Sequence, residues 1–463
     1  MKENKRGCGC AVTAVIVGLI LLVAGALVGW YLLGKYKPSS ELADKGKLFG
    51  IKSGQVALVL DNELQDTKAI YEDNQVYLPV GWVNEYLNQR FYWDENEKLL
   101  VYALPDSIVY ADAETMGSSG PLLKVKEDGA YLSLGLVANY TDIRTEAFDT
   151  SQIKRVFIDT LWNPVPKVQA KRDGKLRTRG GVKSPIITDV AKGDRLTVLD
   201  AMEKWTKVRT EDGYMGYIEN RRLEEQEPEP QLSTFKAPVY TNISLGEPVI
   251  LAFHQVFSQE ANNKFEELID KTEGVNVVVP SWFVMTDNQG NYSSIASRDY
   301  VEKAHARGIQ VWAMLNNVST KESAAINTRE LMGSTSNRKK LIASLMEDAD
   351  NYGFDGLNLD FEGLKAEAGP HYVQFIRELS VACRQKGLVL SVDNYVPSAY
   401  TNFYNRKEQG TVADYVIIMG YDEHYAGGDA GSVASITYVE NGIKDTLTQV
   451  PKEKVINGVP FST

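Results

Sequence analysis

The strongest constraint on this chain lies beyond residue 247, where seven short apolar runs alternate with amphipathic, helix-spaced segments. The runs are Val249-Ile250-Leu251-Ala252-Phe253, Val275-Asn276-Val277-Val278-Val279, Ile309-Gln310-Val311-Trp312-Ala313-Met314, Gly356-Leu357-Asn358-Leu359-Asp360-Phe361, Leu388-Val389-Leu390-Ser391-Val392, Tyr415-Val416-Ile417-Ile418-Met419 and Val455-Ile456-Asn457-Gly458-Val459. Strands that are apolar almost throughout are buried on both faces, as in a parallel sheet covered by helices, here 338–352 and 372–386. So many repeats predict a TIM (β/α)8 barrel, with a doubly wound open sheet as the alternative. No G-x-G-x-x-G or G-x-x-x-x-G-K-[ST] follows any run, so the sequence offers no nucleotide site.

The chemistry concentrates in Asp355-Gly356-Leu357-Asn358-Leu359-Asp360-Phe361-Glu362. Residues two apart in a strand share a face, so Asn358, Asp360 and Glu362 point one way and Leu357, Leu359 and Phe361 the other. Adjacent carboxylates in a partly dry lumen repel. One pKa therefore rises and the pair can hold a proton, as a general acid working near neutral pH requires. Glu362, nearest the C-terminal mouth where barrel active sites lie, is the expected proton donor.

The run resembles the D-x-x-D-x-D-x-E signature of family 18 glycoside hydrolases, with Asn358 in place of the second Asp. Phe253 near the first strand end, Pro280-Ser281-Trp282 after the second, Asn316 after the third and Met419-Gly420-Tyr421-Asp422, like the family's M-x-Y-D, fit the same pattern. The resemblance covers residues 247–463. It implies a substrate-assisted mechanism, in which no second protein nucleophile is needed. Glu362 would protonate the glycosidic oxygen, and Asp360 would orient the 2-acetamido group for attack on the anomeric carbon. Tyr421 would hydrogen-bond the acetamido oxygen, while Asp355 and Asn358 would support Asp360 from behind. An asparagine at 358 cannot take the proton that an aspartate would share with Asp360. The D-G-x-N-x-D-x-E form is similar to that of spore-cortex and cell-wall N-acetylglucosaminidases, which moves the expected substrate from chitin towards peptidoglycan.

Around this centre, Asp422, His424 and Tyr425 are placed to touch sugar, as are Phe253, Asn316 and Trp282. Trp282 and Trp312 are either sugar-stacking platforms or core. His254 is expected to be packed or hydrogen-bonded and Cys383 to be a buried thiol. No metal ligand set and no cofactor is expected. The chain stops at Thr463, just past the seventh strand, so the expectation is a barrel lacking its last segment, including the family's eighth-strand tryptophan beneath the acetamido pocket.

Upstream, Ala11 to Leu33 is a 23-residue run without a charge, preceded by Lys2, Lys5 and Arg6 against Glu3. That predicts a transmembrane helix with residues 1–10 cytoplasmic and residues after about 38 extracellular, 34–54 being a stalk linker, in a single-pass cell-membrane protein. A cleaved signal at Ala24-Gly25-Ala26 is the alternative, although signal cores are shorter. Cys8 and Cys10 lie before the apolar run, as spectator thiols or palmitoylation sites. With only three cysteines there is no disulfide framework and no four-cysteine zinc site.

Residues 55–160 contain a weak repeat, Asn74-Gln75-Val76-Tyr77-Leu78-Pro79-Val80-Gly81-Trp82-Val83 being echoed by Asp128-Gly129-Ala130-Tyr131-Leu132-Ser133-Leu134-Gly135-Leu136-Val137. Each copy reads as a strand entering a short helix, and 93–102 as a hairpin. This α+β unit resembles stalk domains related to the N-terminal domain of copper amine oxidases, but no His precedes His254, so a copper site has little to use. Residues 164–224 carry five short strands and look like a bacterial SH3 domain, a small β-barrel, with Trp205 and Tyr217 either facing a ligand or filling the core. An acidic, proline-bearing linker, 225–245, separates this module from the barrel of 246–463.

The whole is multidomain. A net charge of −11 from 50 Lys plus Arg against 61 Asp plus Glu argues against nucleic acid as partner. The expected partners are a membrane, through the N-terminal helix, and an N-acetylglucosamine-containing polysaccharide, peptidoglycan or chitin. The function these features favour is hydrolysis of that glycan by a membrane-anchored glycosidase. A catalytically silent wall-binding lectin and a structural surface protein are the rivals, and retained Asp360, Glu362 and Tyr421 argue against the lectin.

Overall fold

The computed structural model describes residues 8–318, 325–425 and 427–461; the basic flank of Lys2, Lys5 and Arg6 and the final Thr463 lie outside the described residues. The chain divides into two compact units, one of Met1–Pro79 with Ser133–Phe235 and one of Val80–Leu132 with Lys236–Thr463. The region 55–160 is thus distributed over both. Each copy of its repeat is a strand leading into a short helix, Gln75–Pro79 into Val80–Tyr86 and Gly129–Ser133 into Leu134–Tyr140.

In the first unit the uncharged run forms a helix, Cys8–Tyr36, of 29 residues. At 1.5 Å per residue this reaches about 44 Å, more than a hydrocarbon core of about 30 Å. Its apolar side chains are exposed all round, Leu22 at 72% and Leu33 at 70%, and the helix is long and apolar enough to cross a membrane. Beyond it, Gln55–Leu60, Glu63–Glu72 and Gln75–Pro79 form an antiparallel meander, and Arg155–Asp159 adds to its first strand in parallel. The two hairpin turns, Asp61-Asn62 and Asp73-Asn74, have positive φ at all four residues. Two-residue turns that match strand twist demand that conformation, and Asp and Asn tolerate it.

All five strands expected in 164–224 form, at Gly174–Arg177, Ile186–Val190, Arg195–Ala201, Trp205–Thr210 and Met215–Glu219, joined in one sheet by Val165–Ala170 and Leu223–Glu229. The small core holds Leu176, Ile187, Val190, Leu196, Val208 and Ile218, and continues into Phe49, Val59 and Phe157. Trp205 and Tyr217 are half-buried beside it. Trp205 lies over Gly180, and Tyr217 lines a cleft with Thr178, Lys207 and Met215. The acidic run expected as a linker is extended but not free: Leu223–Glu229 pairs with Val165–Ala170, and Lys167 meets Glu229 at 3.1 Å.

The second unit is built on seven parallel strands that follow one another in chain order. They are β1 (Leu251–His254), β2 (Val277–Pro280), β3 (Gln310–Asn316), β4 (Gly356–Asp360), β5 (Val389–Tyr395), β6 (Tyr415–Met419) and β7 (Val455–Gly458). A doubly wound sheet reverses its order at a switch point. This one does not, so it is the curled, TIM-barrel-like arrangement. Val277, Val279, Trp312, Met314, Val389 and Tyr415 fill the inner floor, where Trp312 stacks on Tyr415 with ring centroids 5.3 Å apart. Trp312 is therefore core and not a sugar platform. The outer faces of the strands, among them Val311, Leu315, Leu357, Leu359 and Leu390, pack in a second cluster with Tyr300, Leu341, Leu345, Phe375, Leu379 and Cys383. Those side chains come from helices α1 (Arg298–His305), α2 (Thr335–Tyr352) and α3 (Gly369–Lys386), which are followed by α4 (Arg406–Val412) and α5 (Ile436–Leu447).

The strands Tyr92–Asp94, Leu99–Ala103 and Ile108–Ala111 form a three-stranded sheet in the same unit. Asp94, fully buried, accepts bonds from the Thr335 backbone N–H at 2.7 Å and the Thr335 hydroxyl at 2.6 Å. Together with the Ser334 cap this satisfies the first turn of α2, which is why that helix begins a turn before the periodic apolar pattern does. Behind it Arg338 and Glu378, 0% and 1% exposed, pair at 2.9 Å. Removing one member of such a pair strands a buried charge, so Glu378→Ala should cost about 3–5 kcal/mol. Breaking the exposed Lys271–Glu267 pair should cost less than about 1 kcal/mol. Denaturant unfolding of the barrel followed by tryptophan fluorescence checks both, and equal costs would contradict the reading.

Candidate active site

The polar side chains of β4 enter the lumen above the apolar floor. Gly356 opens the strand where any Cβ would lie 2.8 Å from the Val389 carbonyl oxygen, so only glycine allows β4 and β5 to approach. Asn358 is fully buried and donates through Nδ2 to the Ser391 hydroxyl at 3.0 Å and to Asp393 Oδ1 at 2.9 Å. Two residues on, Asp360 ends the strand in register with Asn316 of β3. Leu357, Leu359 and Phe361 face the helices, as alternation requires.

Glu362 lies just past the strand and its backbone is clamped. Its N–H donates to Asn317 Oδ1 at 2.8 Å while its carbonyl accepts from Asn317 Nδ2 at 2.8 Å. The preceding Phe361 carbonyl accepts from the Tyr404 hydroxyl at 2.9 Å. The carboxylate itself accepts a 3.0 Å bond from the Tyr395 hydroxyl, which in turn accepts from the Gly363 N–H. A half-buried acid with a fixed main chain and one oriented oxygen is preorganised to deliver a proton to an atom at the mouth.

Three carboxyl groups share this small dry volume, and they cannot all ionise cheaply. Burial, and then the charge of Glu362, pushes Asp360 up to about 7. Burial foremost, then Asp360 and, more weakly, Glu362, pushes Asp393 well above the carboxylate range against the opposing bond from Asn358. Tyr421 is raised mainly by burial, with Asp393, Asp360 and Glu362 adding to the effect, so its hydroxyl stays protonated and can donate. Tyr395 is pushed up to about 12, mainly by burial.

The turn after β6 brings Tyr421 to this cluster. Gly420 permits it, since a Cβ there would lie 2.6 Å from Asn457 Oδ1, and Asp422 completes the turn at φ 59°. Asp422 and Tyr425 are exposed beyond it, and His424 bonds the Asp429 carbonyl at 2.9 Å. Phe253, 37% exposed, is at the end of β1. Asn316 is nearly buried, its Oδ1 accepting from the Val318 N–H at 3.1 Å.

Two expected residues are elsewhere. Asp355 precedes β4 at the opposite end from Glu362, where its Oδ2 accepts from the Val311 N–H and meets His305 Nε2, both at 2.8 Å. It fastens the base of the strand and does not stand behind Asp360, because the five steps from 355 to 360 at strand rise set them about 17 Å apart. Trp282 is 1% exposed, its indole N–H donating to Asn262 Oδ1 at 2.8 Å, and packs edge-on against Tyr300. It is core and offers no face to a sugar. His254 bonds the Tyr300 hydroxyl at 3.0 Å and is, as expected, a packed histidine. The groups that sequence reasoning passed over are Asp393, Tyr395 and Asn317. Ser391-x-Asp393-x-Tyr395 repeats on β5 the alternation seen on β4, and carrying that run three residues further would have found Asp393 and Tyr395.

Among the described residues no group of three or more His, Cys, Asp or Glu side chains is arranged to hold a metal ion. The arrangement suits proton transfer beside a charge-stabilising carboxylate. A carboxyl raised to about 7 binds its proton more tightly folded than unfolded, so it favours the fold below the ordinary carboxylate range and progressively penalises it as pH rises through 7. Asp360→Asn should therefore raise stability at pH 8 by about 0.5–2 kcal/mol, with the gain shrinking towards pH 4. Thermal unfolding at the two pH values measures it, and a pH-independent change would contradict the burial argument.

Residues 213–463, more than half of the chain, match the model of glycosyl hydrolases family 18, and residues 173–224 match the bacterial SH3 domain. The chain is 28% identical over 136 residues to the cortical fragment-lytic enzyme of Bacillus subtilis (strain 168), covering 28% of this chain and 32% of that protein. It is 26% identical over 194 residues to the uncharacterized glycosylase YvbX of the same organism, covering 40% and 56%. The matched segments thus span between a third and just over half of these relatives. A chitinase structure from Chromobacterium violaceum ATCC 12472 is 26% identical, with a TM-score of 0.41 over 46% of this chain and 68% of that one. On the extent of the family match, the chain belongs to the glycosyl hydrolases of family 18.

Proposed function

We propose that the protein is a membrane-anchored glycosidase that cleaves N-acetylglucosamine-containing glycan, peptidoglycan in preference to chitin, by a substrate-assisted retaining mechanism. The observation that carries the reading is Glu362, oriented by Tyr395 and Asn317 beside a half-buried Asp360 whose carboxyl is pushed up to about 7. Protonated Glu362 gives its proton to the glycosidic oxygen. Asp360, as the anion, holds the acetamido N–H so that the carbonyl oxygen attacks the anomeric carbon, and its charge stabilises the cyclic cation that forms. Tyr421 donates a hydrogen bond to that carbonyl oxygen. Water, activated by the now ionised Glu362, then opens the ring from the same face, which retains configuration.

Peptidoglycan is favoured by the bacterial SH3 module at 173–224 and by a relative named as a cortical fragment-lytic enzyme. The Cys8–Tyr36 helix is the anchor in this reading, with its N-terminus cytoplasmic and the barrel outside. The parts of 55–160 that lie in the first unit, 55–79 and 133–160, would set the reach from the bilayer with the SH3-like module.

Glu362→Gln keeps shape but carries no transferable proton. Its turnover on purified peptidoglycan, read from new reducing ends, should fall by about 100-fold or more while glycan binding survives. Deacetylated glycan should resist the parent protein, because it lacks the nucleophile. Near-normal turnover by the variant would remove Glu362 from the mechanism, and equal hydrolysis of deacetylated glycan would point to a carboxylate nucleophile.

A further inference from the structure

Asn358 stands where a carboxylate would share a proton with Asp360, and it has none to share. We propose that Asp393, on the neighbouring strand β5, takes that part: Asp393 and Asp360 hold one proton between them, and Asp393 keeps it while Asp360 works as the anion. The inference rests on the reading of Asp360 and Glu362 as the reacting groups.

The geometry comes from the strand register. β4 and β5 pair in parallel through Leu359 and Val392, and the Asn358–Ser391 bond at 3.0 Å shows that these two side chains point into the lumen together. Asp360 and Asp393 follow each of them by two residues, so they point the same way on strands about 4.8 Å apart. Asp393 is 3% exposed, and Asn358 Nδ2 fixes its Oδ1 at 2.9 Å. Asp360 Oδ1 is buried and has no hydrogen-bond partner. An acceptor left in that state is costly unless a donor reaches it, and a carboxylic acid on Asp393 would be such a donor.

Among the described residues, the groups around Asp393 offer no cation to neutralise it. Asn358, Asp360 and Glu362 face it from β4 and the turn that follows, Ser391 flanks it, and Tyr421 and Tyr372 are coupled to its charge from the turn after β6 and from α3. Among the described residues no cation is among the groups that shift either carboxyl. With two ionised carboxylates so close in a dry lumen, the pair retains one proton at neutral pH.

In the reaction the proton count does not change. The resting pair carries one proton and one negative charge. When the acetamido N–H of the substrate bonds to Asp360, the proton settles on Asp393 and the charge on Asp360, opposite the forming cation. When the intermediate opens, the proton returns to the shared position. Asp393 touches no substrate, so it is a positioning residue that acts through Asp360.

The test uses the full chain in detergent with two variants. Asp393→Leu keeps the branched outline but removes the donor, so Asp360 is left with burial and the charge of Glu362, and its pKa rises. The acid limb of the kcat profile should move up by about one pH unit or more, with kcat near pH 6 falling about tenfold and KM changing less than threefold. Asp393→Asn still offers an amide donor and should return the acid limb towards that of the parent. If Asp393 merely holds Asn358 in place, Asp393→Leu loses activity equally at every pH with the limb unmoved, and that result overturns the proposal. Infrared difference spectra between the parent and Asp393→Asn at pH 7 provide a second readout that needs no activity and no leucine variant. Loss of a protonated carboxylic acid stretch supports the proposal, and loss of a carboxylate band alone overturns it. A parent chain that cleaves no glycan would count against the proposed function, while the infrared result would still decide whether Asp393 holds the proton.

Discussion

Carboxyl groups in a lumen nearly closed to water impose the condition that the rest of the barrel has to meet. Each ionised group there loses hydration that the protein must replace, and the surroundings of Asp360, Asp393 and Glu362 can be read as the replacement. Asn358 supplies a donor from below, itself held by the Ser391 hydroxyl, Tyr395 supplies one at the mouth, and Tyr421 closes the side. Among the described residues no cation is among the groups that shift Asp360 or Asp393, and this keeps that pair partly protonated and therefore useful for proton transfer. A lysine or arginine in the same place would hold both aspartates ionised and take the acid–base chemistry out of the neutral range.

A cluster of this kind needs a rigid frame, because a few tenths of an ångström would change which carboxyls repel. The frame is apolar beneath and polar above. Trp312 and Tyr415 stack across the floor, while Asn317 and Tyr404 pin the main chain on either side of the acid. Outside the sheet, α2 is held at its start by Asp94 and, one turn in, by the Arg338–Glu378 pair. The three-stranded sheet at 92–111 thereby reaches the helical layer behind β4, and links residues distant in sequence to the element that carries the site.

The sequence made the site legible where periodicity was strong and misleading where it was silent about direction along a strand. Alternation identified Asn358, Asp360 and Glu362 as sharing a face, and the five short strands of the SH3-like module were each visible as β-branched runs between turns. Asp355 lies at the correct spacing for the same motif, but spacing does not say which end of the strand a residue occupies relative to the mouth. Its position is decided by the Val311 N–H and His305, neither of them near it in sequence. Trp282 carries no periodic signal at all, and its burial follows from Asn262 and Tyr300. Asp393 was missed because the apolar run was read as ending at Val392, although Ser391 had already turned the inner face polar. The acidic 224–229 segment shows the converse, since its composition is that of a free linker while its backbone completes a sheet edge.

The central claim is that the acetamido group of the substrate, held by Asp360, is the nucleophile. Binding of the thiazoline analogue of N-acetylglucosamine, which copies the cyclic intermediate, tests it most directly. Measured by calorimetry across pH 5 to 9, the account expects competitive inhibition, affinity at least about 100-fold above that of N-acetylglucosamine itself, and most of that advantage lost in Asp360→Asn. Affinity equal to that of the parent sugar, or an advantage that survives Asp360→Asn intact, would contradict the account.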